Sequence, residues 1–234
     1  MALPFDAIAF DADDTLWHNE TYFRSTEAAF RQLLRPYHED AWIDARLFAT
    51  EMRNLARYGY GIKAFTLSMI ETAIELTEAR ISAGEIQQIL QLGQDMLARP
   101  VELLPHVEEV LRALQGRTRL LLITKGDLLD QESKLARSGL GDCFDAIEVV
   151  SEKDVPTYQA LLKRHRIDPA RFLMIGNSVK SDILPILALG ARAVHIPCED
   201  TWVFERVEGE LPPFPVLPHL GALLSWLASH SPEG

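Results

Sequence analysis

Two carboxylates, Asp11 and Asp13, stand two residues apart at the end of the apolar run Ala7-Ile8-Ala9-Phe10. An apolar stretch that ends in acids reads as a buried parallel strand whose C-terminal tip opens into a polar site. In open α/β sheets that edge is where ligands bind. We expect Asp11 to face the site and Asp13 to swing back towards it from the following loop. One carboxylate can attack an electrophile, and a second can move a proton to or from the reacting group. Three later apolar runs end in other polar signals: Leu120–Ile123 in Thr124 and Lys125, Asp145–Val150 in Lys153, and Phe172–Ile175 in Asn177 and then Asp182. Strand ends in a parallel sheet share one edge, so these scattered residues should converge.

The elements that would position them follow from periodicity. From about residue 105 helical and strand patterns alternate: a helix near Pro105, a strand ending at Thr124, and a helix closed near Gly139 or Gly141. A strand over 145–150, a helix over 156–166, a strand ending at Gly176, a helix containing Ile183 to Leu189 and a strand over 191–196 complete the series. Residues 198–218 read as loop, and Leu220, Leu223, Leu224 and Leu227 mark a terminal helix. Alternation of this kind implies an α/β fold, a doubly wound parallel sheet with helices on both faces. Between the first strand and the rest, residues 19–99 carry helical spacing only, enough for four amphipathic helices. Ser82 with Glu85 has the form of a capping box for the last of them, and Pro100 stops it. We therefore expect an inserted all-helical cap over 18–99 and a catalytic core from 1–17 and 100–234.

With those residues in place, the chain resembles the haloacid dehalogenase-like hydrolase superfamily, from residue 5 to about 197. The first motif of that superfamily, Asp-x-Asp-x-Thr, stands as Asp11-Ala12-Asp13-Asp14-Thr15, the second as Thr124, the third as Lys153, and the fourth as Gly176-Asn177-Ser178 through Asp182. The resemblance implies a Rossmann-like core with a helical cap, a small phosphorylated metabolite as partner, and Mg²⁺ as cofactor. It implies that Asp11 attacks phosphorus to form an aspartyl phosphate, that Asp13 serves as general acid and base, and that Thr124 and Lys153 bind the phosphoryl oxygens. Mg²⁺ would be held by Asp11, the Asp13 backbone carbonyl and Asn177, with Asp182 either a further ligand or a residue that orients Lys153. Asn177 stands where an acid is commoner, which removes one negative charge and lowers the expected metal affinity.

Asp13 separates the reactions open to this fold. A halide leaves without a proton, so dehalogenases of the superfamily lack an acid at this position, whereas an ester oxygen needs one. The resemblance therefore favours a phosphatase over a dehalogenase, with a phosphomutase or a non-catalytic phosphate-binding module as alternatives. A phosphonate hydrolase would require a cap lysine, and Lys63 is the one lysine before residue 125. Tyr60 and Lys63, with Arg53, Arg57 and Tyr58 around Gly59 and Gly61, are the cap residues we expect to meet the substrate, and Lys125 is a further candidate. Lys125 and Lys180 compete with Lys153 for the phosphate-binding role.

Composition excludes other classes. The net charge is -11, from 23 basic against 34 acidic residues, which argues against a nucleic-acid polymer as partner. No apolar stretch approaches the roughly 20 residues of a membrane span. The opening Met1-Ala2-Leu3-Pro4-Phe5-Asp6 is neither basic nor extensively apolar. Cys143 and Cys198 make no disulfide framework. We expect a cytoplasmic protein without membrane association, a monomer or a homodimer.

Overall fold

The computed structural model describes residues 3–200 and 202–230. Five strands form one parallel sheet: β1 (Ala7–Phe10), β2 (Arg119–Lys125), β3 (Ala146–Val150), β4 (Phe172–Gly176) and β5 (Arg192–His195). Their order is β3-β2-β1-β4-β5, so β1 is central and the connections wind outward in both directions from it. Phe10 pairs with Leu122 on one side and Ile175 on the other. That register brings the residues after β1 between those that end β2 and β4, at the strand-order reversal where ligands bind in such sheets.

Strand alternation builds the core on two faces. Ile8, Phe10, Leu120, Leu122, Leu173 and Ile175 enter one apolar cluster, and Ala7, Ala9, Leu121, Ile123, Phe172 and Met174 enter the other. Among the later helices, α5 (Val107–Leu114) and α9 (Leu223–Ser229) cover the first face with Val110, Leu111, Leu114, Leu223 and Leu227. The second face is covered by α7 (Val155–His165), through Tyr158, Leu161 and Leu162, and by Ile186 of α8 (Leu184–Ala188). Burial on both faces explains why β1 and β4 read as continuous apolar runs.

The remaining helices are α1 (Glu20–Leu34), α2 (Asp40–Tyr58), α3 (Ile62–Leu76), α4 (Ala83–Ala98) and α6 (Leu128–Ser138). The chain divides into two compact units, an α/β unit of residues 1–20, 101–125 and 133–234 and a helical unit of residues 21–100 with 126–132. The helical unit has its own core, built from Phe30, Leu34, Ile43, Leu47, Phe65, Met69, Ala73 and Ile89. Ser82 and Glu85 make both bonds of the capping box at the start of α4. Within α4, a Cβ on Gly93 would lie 2.2 Å from Thr66 Oγ1, so glycine is what lets α3 and α4 approach.

Two boundaries differ from the sequence expectation. Residues 126–132, which the sequence places in the core, belong to the helical unit. There Asp127 accepts the Lys63 ammonium at 2.8 Å and its backbone nitrogen lies against Gly61, contacts between segments far apart in sequence. The helix expected over Ile183–Leu189 is a π-helical turn, Val179–Ile183, running into the short α8. The wider turn moves Asp182 onto the sheet side, where it is fully buried. Among the described residues no helix is long and apolar enough to cross a membrane.

Candidate active site

The α/β unit by itself brings the polar strand ends together. The chain leaves β1 through a tight loop in which Leu16 N–H donates to the Ala12 carbonyl at 2.8 Å and Asp14 N–H to that of Trp17 at 2.8 Å. Asp14 occupies the left-handed region at φ 59°, which Asp tolerates better than most residues. Its carboxylate accepts from the backbone N–H groups of Asn19 and Glu20 at 2.9 and 3.0 Å and so caps the start of α1. Thr15, the last residue of the first motif, turns inward. Its hydroxyl lies 3.0 Å from Asp11 Oδ2 and 3.3 Å from Asn177 Oδ1, joining the loops after β1 and β4.

Asp11 is buried and its Oδ1 accepts from Lys153 Nζ at 2.5 Å. The same ammonium donates to Asp182 Oδ1 at 2.7 Å, and Asp182 Oδ2 accepts from Ser178 N–H at 3.0 Å. Both oxygens of Asp182 are thus engaged within the protein. The sequence left Asp182 open as a metal ligand or as the residue that orients Lys153, and here it is bonded to Lys153. The π-helical turn that presents Asp182 is held by Tyr158 of α7, whose hydroxyl donates to the Ser181 carbonyl at 3.1 Å. Asn177 is fixed by its backbone carbonyl, which accepts from His195 Nε2 at 2.9 Å. Burial pushes this histidine below its ordinary value.

One ammonium shared by two buried carboxylates sets the electrostatics. Burial pushes Asp11 up to about 7, Lys153 pulls it back, and the charges of Asp182 and Asp13 add to the rise. For Lys153 burial works against the charge, but Asp11 and Asp182 outweigh it and hold the ammonium well above its usual range. The two directions agree once the count is made: Lys153 stays charged, and among the described residues the second carboxylate has no cation of its own. A hard divalent cation would supply that missing charge. Asp11 Oδ2 and Asn177 Oδ1, both within reach of the Thr15 hydroxyl, are oxygen donors of the kind Mg²⁺ takes, so the residues fit such an ion. Among the described residues no three His, Cys, Asp or Glu side chains group as metal ligands.

Asp13 is placed by partners the sequence reading missed. Lys134 Nζ donates to its Oδ1 at 2.6 Å and Oδ2 at 2.9 Å, and Trp17 Nε1 donates to Oδ1 at 2.7 Å. Lys134 is one of several charged residues in α6, and nothing local marks it as buried. Thr124 is buried near the C-terminal end of β2, one position beyond the residue level with Asp11. Lys125, the further substrate candidate, is partly buried and paired within the α/β unit. Its ammonium contacts Glu205 and lies 3.0 Å from Ser181 Oγ. Burial opposes the Glu205 charge, but Lys125, Ser178 and Ser181 outweigh it and hold this carboxyl below its usual range. Glu205 lies in the stretch read as loop, so no pattern could have announced it. Lys180, the other competing cation, donates to the Phe204 carbonyl at 3.0 Å and sits over its ring. Tyr60 and Lys63 belong to the helical unit, where Lys63 is spent on Asp127 rather than presented as an unpaired charge.

Gly176 ends β4 with no room for a side chain. A Cβ there would fall 2.2 Å from Asp182 Oδ2. Gly176→Ala is expected to displace Asp182 from Lys153, cost about 1–3 kcal/mol as an overpacked core does, and lower turnover with it. Urea denaturation and a rate assay on the same preparation read both effects, and a variant of wild-type stability would disprove the constraint.

The sequence matches the family described as haloacid dehalogenase-like hydrolase over residues 5–190. A solved haloacid dehalogenase-like family hydrolase from Xanthomonas campestris is similar at 43% identity and a TM-score of 0.86, over 97% of this chain and 91% of that one. The pyrimidine 5'-nucleotidase YjjG of Escherichia coli is 27% identical over 78% of this chain and 81% of its own length. A glyceraldehyde 3-phosphate phosphatase of Methanothermobacter thermautotrophicus is 28% identical over 83% of this chain and 87% of its own.

Proposed function

The chain belongs to the haloacid dehalogenase-like hydrolases, and from that premise we propose that it is a Mg²⁺-dependent phosphatase acting on a small phosphate monoester. The observation that carries the reading is the second carboxylate, Asp13, oriented by Lys134 and Trp17 beside the buried nucleophile candidate Asp11. The two curated relatives are a pyrimidine 5'-nucleotidase and a glyceraldehyde 3-phosphate phosphatase by name, which supports the same substrate class.

In the proposed reaction an oxygen of Asp11 attacks phosphorus and the bond from phosphorus to the ester oxygen breaks. That oxygen takes a proton from the Asp13 carboxyl group, so the alcohol leaves neutral. Asp13, now a carboxylate, then takes a proton from water as the water oxygen attacks the aspartyl phosphate. The bond to Asp11 breaks, inorganic phosphate departs, and both side chains return to their starting forms. Lys153 and Thr124 bind the phosphoryl oxygens, and Lys153 offsets the charge of the nucleophile. Thr15 orients the Asp11 carboxylate, and Asp182 holds Lys153 over it. Mg²⁺, held by Asp11, the Asp13 carbonyl and Asn177, would supply Lewis-acid neutralisation of phosphoryl charge.

Phosphate release should be measured over a panel of nucleoside monophosphates, triose phosphates and other small monoesters, with Mg²⁺ and with chelator, alongside halide release from 2-haloacids. The expected result is phosphate release that chelator abolishes, with no halide. Halide release without phosphate release would replace the phosphatase reading by a dehalogenase.

A further inference from the structure

We infer that Lys134 is a positioning residue for the proton-transferring carboxyl group of Asp13. The inference rests on the phosphatase reading above and goes beyond it, since no motif of the chain points to α6. The geometry is specific. Lys134 spans both oxygens of Asp13, at 2.6 and 2.9 Å, so it fixes the plane of the carboxyl group as well as its place. Trp17, fully buried, donates to Oδ1 from the other end of the same loop at 2.7 Å. The lysine is itself held. It is 8% exposed and lies 3.3 Å from Asn19 Oδ1, so its long side chain is not sampling solvent as a surface lysine would.

The need for such a support is physical. Asp13 sits in a loop, has a terminal torsion of intrinsically broad preference, and keeps part of its side chain exposed. Proton transfer works only if the carboxyl oxygen lies within hydrogen-bond reach of the ester oxygen. A misplacement of about 1 Å can cost on the order of a hundredfold in rate. An ammonium bridging both oxygens removes the unproductive rotamers.

A support for a proton donor has a signature that a support for the fold lacks. p-Nitrophenolate leaves readily without a proton, whereas phenolate, a far stronger base, needs one. The test compares kcat/KM for p-nitrophenyl phosphate and phenyl phosphate in wild type, Asp13→Asn, Lys134→Met and Lys134→Arg, at saturating Mg²⁺. The ratio of the two constants within one preparation does not depend on how much of the protein is folded. Asp13→Asn should lose about a hundredfold more on phenyl phosphate than on p-nitrophenyl phosphate, the ordinary scale of general acid catalysis. Lys134→Met should shift the same ratio by about tenfold, chiefly through kcat, and Lys134→Arg should recover most of the loss. If Lys134→Met fails to fold, Lys134→Gln, which keeps a donor without the charge, is read the same way. Equal loss on both substrates in the Lys134 variant, with the ratio still shifted in Asp13→Asn, overturns the role of Lys134 alone. An unshifted ratio in Asp13→Asn overturns the acid role of Asp13, and the inference falls with it.

Discussion

Asp11→Asn is expected to lower phosphate release in Mg²⁺ by at least about a thousandfold, the scale on which loss of a covalent nucleophile is felt, and to do so without destabilising the fold. The amide has the shape of the carboxylate and keeps an oxygen for the Thr15 hydroxyl or the Lys153 ammonium, but it cannot attack phosphorus. The stability side follows from linkage. Asp11 is pushed from an ordinary value of 3.8 up to about 7, chiefly by burial, so its charged form is disfavoured in the folded protein. A group raised in this way contributes stability that is whole below its unfolded value and is lost as pH rises through its folded value. The neutral amide escapes that loss. In chelator, Asp11→Asn should therefore unfold at a temperature equal to or above that of wild type at pH 8, and near it at pH 4. Addition of Mg²⁺ should raise the unfolding temperature of wild type and leave the variant unchanged, since binding to the native state stabilises it by mass action. Retention of turnover within tenfold of wild type would remove Asp11 from the nucleophile's role.

Lys153→Met has the opposite profile, because it damages the fold and the chemistry together. Lys153 Nζ lies between Asp11 and Asp182, 2.5 Å from one and 2.7 Å from the other, and all three side chains are nearly inaccessible to solvent. Without the ammonium two buried carboxylates face each other. Removing one partner of a buried ion pair costs about 3–5 kcal/mol, visible as a lower urea midpoint at neutral pH. Acid restores part of the difference by protonating the carboxylates. Adding Asp11→Asn to Lys153→Met should also recover part of it, with a coupling of about 1–3 kcal/mol. A Lys153→Met protein within about 1 kcal/mol of wild type would mean that the carboxylates do not share this cation.

Asn177 and Lys134 show how differently the site's parts could be read. Asn177 directly follows the apolar run that forms β4, so its place at the sheet edge follows from periodicity, and Asp11 and Thr124 are legible in the same way. Lys153 could be placed after β3, but not distinguished from Lys125 and Lys180 by any local rule. Burial decides among them, because each of the three finds a different counter-group: Asp11 with Asp182, Glu205, and the Phe204 carbonyl and ring. Lys134 and Glu205 carry no signal at all. A lysine in an amphipathic helix and a glutamate in a Pro-rich loop are ordinary until the chain folds around them.

By itself the sequence determined the α/β class, the parallel sheet buried on both faces and the four-helix block between β1 and the rest, because periods of 2 and 3.6 in apolar residues are local properties. It also determined which residue types stand at the strand ends. Tertiary structure alone decided the assignment of 126–132 to the helical unit, the π-helical turn that swings Asp182 onto Lys153, the capture of Lys125 by Glu205 and the clasp of Lys134 on Asp13. Each of these depends on a charge finding its partner far away along the chain. Where a buried charge goes is set by the whole surrounding dielectric and its neighbours, and no window of sequence contains them.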